Sequence, residues 1–166
     1  MTVRAHIAVA FGLCAALAAP AGAGVHPAIS AFADHCFSPF LTAATAAAHL
    51  SAPGARVAFY DLDPVSAVAS SPSDNVAPGT DRRCSVAIDG NHVDDATWAV
   101  ENALMREGIT DPASVPGTYA QTDGTALLAA RYLNPNRIAV VIVETRPGTN
   151  GIETHMTVER LLPLDK

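Results

Sequence analysis

Hydrophobic and polar positions change their period several times along the chain, and each period predicts an element. Ile138-Ala-Val-Val-Ile-Val143 contains no polar residue. Asn134-Pro-Asn136 precedes it and Pro147-Gly-Thr-Asn-Gly151 follows. A short apolar run between turn residues reads as a strand buried on both faces. The next stretch alternates instead. Ile152, Thr154, Met156 and Val158 point one way, while Glu153, His155, Thr157 and Glu159 point the other. A period of two predicts a strand with one wet face, as at an antiparallel edge. Ala96, Ala99, Val100, Ala103 and Leu104 repeat at helical spacing between the Asn91–Asp95 start and the Gly108 stop.

The weaker periods fill in the rest. Ala28 to Phe37 reads as a helix with Ile29, Phe32, Ala33 and Cys36 on one face. Ser38-Pro39 has the residues of a helix start, serine as N-cap and proline in the first turn, and predicts a second helix to about Leu50. Arg56–Asp61 and Arg83–Ile88 read as strands. The segment 64–80 is rich in Ser, Pro, Asp and Ala without a period, and reads as a mobile loop. The segment 109–117 reads as a loop with two prolines. A strand beginning at Thr118 or Thr125 and ending at Leu133 opens a final three-strand meander. The predicted order is α-α-β-β-α-β-β-β. Hairpin-length connections make this a single α+β domain over residues 24–166, with an antiparallel sheet of about five strands and helices packed on it.

Composition changes this picture in two ways. Hydrophobic residues make up 49% of the 166, but many are alanine and aromatics are only 5%, so the core is expected to be thin. Acidic residues outnumber basic ones by 16 to 10. That balance argues against nucleic acid and against an anionic membrane surface as partners, since both call for clustered Lys and Arg.

Residues 1–23 have the three parts of a secretory signal: Arg4, an uncharged apolar stretch Ile7–Ala19, and Ala21-Gly22-Ala23 after Pro20. The expected cut follows Ala23, with a second possible site at Ala16-Leu17-Ala18. Thirteen apolar residues are too short to span about 30 Å of hydrocarbon as a helix, so no stable membrane insertion is expected after cleavage. Leu13 before Cys14 argues against a lipoprotein. The chain is therefore expected in the periplasm or outside the cell. Cleavage leaves Cys36 and Cys84, and two cysteines in an oxidising compartment point to one disulfide.

Each candidate for chemistry has a plain alternative. Asp61 and Asp63, two apart at a strand end, could serve a hydrolase or calcium; two solvated carboxylates before Pro64 is the simpler reading. His26, His35, His49, His92 and His155 follow the leader without a metal-motif spacing. Glu153 and His155 share a strand face and could supply two ligands, where zinc needs three or four. Arg82-Arg83 could hold an anion, but Asp81 stands beside them. Asp94-Asp95 fit the start of a helix. Trp98 is expected to pack at the sheet margin rather than bind sugar. The chain lacks a nucleophile elbow, a Walker loop and a dinucleotide-binding glycine motif.

Phe32-Ala-Asp-His-Cys36, Phe59-Tyr-Asp-Leu-Asp-Pro64 and Arg82-Arg-Cys-Ser-Val86 resemble segments of small exported alphaproteobacterial proteins with one cysteine in an early helix and one in a strand. The resemblance implies a disulfide and an export route, and no active site. Three expectations follow. The first is a non-catalytic exported binding or envelope-accessory protein without a cofactor, meeting a partner protein through the outer face of the 152–160 strand or an exposed sheet edge. The second is a small hydrolase using Asp61, Asp63 or His155. The third is a metal- or small-ligand-binding protein using Glu153 and His155.

Overall fold

The computed structural model describes residues 24–61 and 80–161. The leader, Asp63 and the 64–79 part of the expected loop lie outside the described residues. Thr80, expected in that loop, already belongs to a strand.

Helix α1 spans Pro27–His35. Proline in its first turn lacks an N–H that would have had no partner there, and the His26 ring accepts from the Ala28 N–H at 3.2 Å. Ala28, Ile29, Phe32 and Ala33 form its buried face. Helix α2 is shorter than expected, Ala43–His49. Thr42, not Ser38, opens it: the Thr45 hydroxyl turns back to accept from the Thr42 N–H at 3.2 Å. The carbonyls of Ser38 and Pro39 instead receive hydrogen bonds from arginines, which holds that segment as a turn.

The first two strands are β1, Arg56–Asp61, and β2, Thr80–Asp89. Helix α3, Val93–Arg106, buries the stripe Ala96, Ala99, Val100, Ala103 and Leu104. Asp94 and Asp95 lie in its first turn, where they complement the helix dipole. Gly108, at φ +69°, ends it. Then come β3 (Pro112–Ala113), β4 (Thr125–Asn134), β5 (Arg137–Gly148) and β6 (Gly151–Leu161).

These form one antiparallel sheet of six strands in the order β1-β2-β6-β5-β4-β3. The additional strand is β3, two residues inside the expected proline loop. It pairs with Ala130 and Arg131, and the Asp111 carbonyl accepts from the Tyr132 N–H at 2.8 Å. The sheet order corrects the expectation for the last strand. β6 is no edge: it lies between β2 and β5.

The main core lies between the three helices and one sheet face. Phe32, Ile29 and Leu50 of the helical layer meet Val86, Ile88, Val141, Val143, Met156 and Val158. Alanines at 28, 33, 96, 99 and 103 let the helices approach closely. Cys36 and Cys84 are bonded inside this core, with Cα atoms 5.6 Å apart. Just beyond Cys36, Arg160 donates to the carbonyls of Phe37 and Ser38, and Arg82 donates to Pro39. The opposite sheet face carries a smaller cluster of Ala130, Val140 and Leu161, with Tyr119, Leu128, Ile138 and Ile142 against it. The Ile138–Val143 strand is thus packed on both faces. Among the described residues no helix is long and apolar enough to cross a membrane.

Candidate functional site

A row of polar residues in mutual contact lies on the sheet face away from the helices. The alternation of β6 puts Glu153, His155, Thr157 and Glu159 there. This face is not wet, contrary to the expectation from alternation. Glu153, Thr157 and Glu159 are buried, and His155 is mostly so.

Hairpin register explains the pairing. Gly148 and Gly151 pair across a tight turn, so Arg146 falls opposite Glu153 and Glu144 opposite His155. On the other side of β6, Asp89 pairs with Glu153, Ala87 with His155, and Ser85 with Thr157.

Glu153 is held from two sides. Arg146 Nε donates to Oε1 at 2.6 Å, and Arg56 Nη2 donates to Oε2 at 2.6 Å. Arg56 also meets Asp89 Oδ1 at 2.8 Å, and Asn150 donates to the other Asp89 oxygen at 2.9 Å. Burial alone would push the Glu153 carboxyl up. The hydrogen bonds from Arg146 and Arg56 outweigh it and hold the group below the usual carboxylate range. Asp89 is also lowered, by its hydrogen bonds from Asn150 and Arg56.

His155 is bracketed. Its Nδ1 lies 3.2 Å from Arg146 Nη1 and 3.3 Å from Glu144 Oε1. Its Nε2 lies 3.1 Å from Thr157 Oγ1, which is 2.9 Å from Ser85 Oγ. Burial and then Arg146 push the ring below its ordinary value, against the pull of Glu144. A neutral ring with its proton on Nε2 accepts from Arg146 at Nδ1, and one with its proton on Nδ1 donates to Glu144. The first form donates to Thr157 at Nε2 and the second accepts from it there.

At the far end of the row, Tyr119 donates to Glu159 Oε2 at 2.6 Å and Thr80 donates to the same oxygen at 3.2 Å. Burial, then Glu159, pushes the Tyr119 phenol well above its usual value. Arg83 comes within 3.9 Å of Glu159 Oε1.

Chemically, the Glu144–His155–Thr157 line has the order of a carboxylate–imidazole–hydroxyl relay. One feature sets it apart from an active nucleophile: Thr157 and Ser85 are both buried in the centre of the sheet.

The remaining candidates are dispersed. Asp61 receives two hydrogen bonds from Arg82, each 3.1 Å. Arg82 and Arg83 therefore serve different partners on opposite faces of β2. Arg82 also lies over the Phe59 ring. His35 and His49 bring their ring centroids to 4.6 Å, and His26 and His92 to 5.8 Å. Among the described residues, no three of His, Cys, Asp and Glu gather in a way that could hold a metal ion. Both oxygens of Glu153 already accept from arginines. Trp98 is 64% exposed on α3, which corrects its expected place at the sheet margin. The apolar stripe of α3 is buried in the main core, and Trp98 falls on the other side of the helix.

Sequence reasoning missed Arg56, Glu144, Arg146, Ser85 and Tyr119. The tight turn at Pro147–Gly151 held the signal for two of them. Counting outward from Gly148 and Gly151 pairs Arg146 with Glu153 and Glu144 with His155. The others come from distant segments with no local signal.

No family model, curated protein or solved structure matches the chain.

Proposed function

We propose that the protein is a non-catalytic exported protein of the bacterial envelope that acts by binding another protein. The observation carrying this reading is that the polar side chains of the β6 face are spent on one another. Glu153 is saturated by two guanidiniums, and His155 is bracketed by Arg146, Glu144 and Thr157. Little is left to meet a substrate, and the face first expected to meet a partner is closed. The surface that fits an extended partner is then the outer edge of β1. No described strand pairs with that edge, and it offers six residues including the exposed Val57. An added strand would gain main-chain hydrogen bonds there. Export is supported by the three-part leader and is compatible with the buried disulfide.

The test uses the full chain expressed in a bacterial host, with a photo-crosslinking residue at position 57 or, as control, at position 149. The reading expects a processed chain beginning at Gly24 in the periplasmic fraction. It also expects one reproducible envelope adduct from position 57 and none from 149. A chain kept at full mass in the cytoplasm would overturn the export part. Equal adducts from both positions would overturn the edge. A hydrolytic activity lost in His155→Gln, or extra native mass that disappears on denaturation, would put the hydrolase or ligand-binding reading in its place.

A further inference from the structure

We propose that His155 is an acid-operated latch on the β5–β6 hairpin: when its ring takes a second proton it turns from Arg146 to Glu144 and releases the hairpin end, residues 146–153. The inference needs neither export nor a partner, so it stands or falls apart from the reading above.

The geometry sets one donor and one acceptor in competition for a single ring nitrogen. Nδ1 lies 3.2 Å from a guanidinium nitrogen and 3.3 Å from a carboxylate oxygen. A neutral ring with its proton on Nε2 satisfies Arg146 by accepting at Nδ1. A charged ring carries hydrogen on Nδ1 and can only donate, so it repels Arg146 and bonds Glu144. Arg146 is 44% exposed and bonded to Glu153 through Nε, so repulsion from the charged ring works against that one ion pair. Its departure removes one of the two clamps on Glu153.

The charged groups around the ring are few. β5 contributes Glu144 and Arg146, and β6 contributes Glu153. β2 places uncharged Ala87 opposite the ring, and Ser85 behind Thr157. Arg56 of β1 and Asp89 of β2 engage each other, and Arg56 also engages Glu153. On the Nε2 side the ring meets the Thr157 hydroxyl, with Ser85 beyond it.

Burial and Arg146 depress the ring's affinity for the proton. The folded hairpin therefore binds this proton less readily than the opened one. Above about pH 6.5 the latch is shut, and acid favours opening as pH falls below that value.

The test is amide exchange across the pH range, with the His155 ring followed by NMR in the same samples. Protection of the amides in 146–153 is expected to fall about tenfold as the ring titrates, while α3 keeps its protection. Arg146→Gln should move that midpoint up and Glu144→Gln should move it down. His155→Gln should abolish the step. A step that persists in His155→Gln would overturn the latch, as would a ring that titrates with no loss of hairpin protection. If His155→Gln does not fold, opposite shifts in the other two variants support the latch, and unmoved midpoints refute it.

Discussion

Arg56 of the edge strand reaches across β2 to Glu153 of β6, with Nη2 2.6 Å from Oε2. This contact ties the edge strand to the hairpin, because Glu153 also holds Arg146. Its strength is limited by water, since the two arginine side chains are 42% and 44% exposed. Glu153→Gln should therefore cost about 1–2 kcal/mol, the size of a lost charge-assisted hydrogen bond and well below a fully buried pair. Because the folded carboxyl is held low, its contribution is present above the unfolded value of about 4.5 and is lost as pH falls through the folded one. Denaturant midpoints at neutral pH and in acid check both parts. The variant should be weaker at neutral pH and lose less on acidification.

Tyr119 closes the other end of the row. Its hydroxyl is 2.6 Å from Glu159, a buried carboxylate. Tyr119→Phe should lower stability by about 1–2 kcal/mol, because Glu159 keeps Thr80 and Arg83. The phenol titrates higher in the folded state than in the unfolded one. Its contribution is therefore complete below about pH 10 and declines as pH rises toward the folded value. Spectrophotometric titration of the three tyrosines should lose its alkali-resistant component in the variant. An unchanged curve would show that Tyr119 is not that component.

The parts of the fold that local period governs were legible, and the parts that depend on strand order were not. The α3 stripe, the Ile138–Val143 strand and the alternation of β6 all follow from spacing within one segment. β3 escaped because two residues carry no period. The start of α2 escaped because Ser38-Pro39 has the residues of a helix start, while Arg160 and Arg82, distant in sequence, hold that segment as a turn. Alternation correctly split β6 into two faces. It could not say that β2 and β5 would flank the strand, nor that Arg146 and Arg56 would neutralise Glu153 from both sides. The disulfide was legible from the cysteine count and the expectation of export; that both sulfurs would lie inside the main core was not.

Trp98 is the only tryptophan in the chain, and it stands on the solvent side of α3. Its emission should lie at the red end of the protein range and be readily quenched by iodide or acrylamide. Trp98→Ala should change stability by no more than about 0.5 kcal/mol, as for other surface positions. Blue-shifted emission protected from quencher would mean that the residue is covered in solution. A loss of several kcal/mol would mean that it packs in the fold.

Cys36 and Cys84 are both buried, so a reductant cannot reach the bond while the core is closed. Reduction should need denaturant, because the thiol can attack the bond only in the opened protein. The bridge closes 48 residues. Chain entropy gives about 4 kcal/mol for such a loop, as a ceiling. That is a large fraction of the roughly 5–15 kcal/mol that holds an ordinary domain together, and this core is rich in alanine. The Cys36→Ala/Cys84→Ala pair should therefore lose about 3–4 kcal/mol. Arg160 and Arg82 still hold the turn after position 36, so α1 should keep its place while the protein stays folded. Denaturant curves of the pair against the oxidised protein check the magnitude. Rapid reduction of the native protein by dithiothreitol without denaturant would contradict the buried position of the bond.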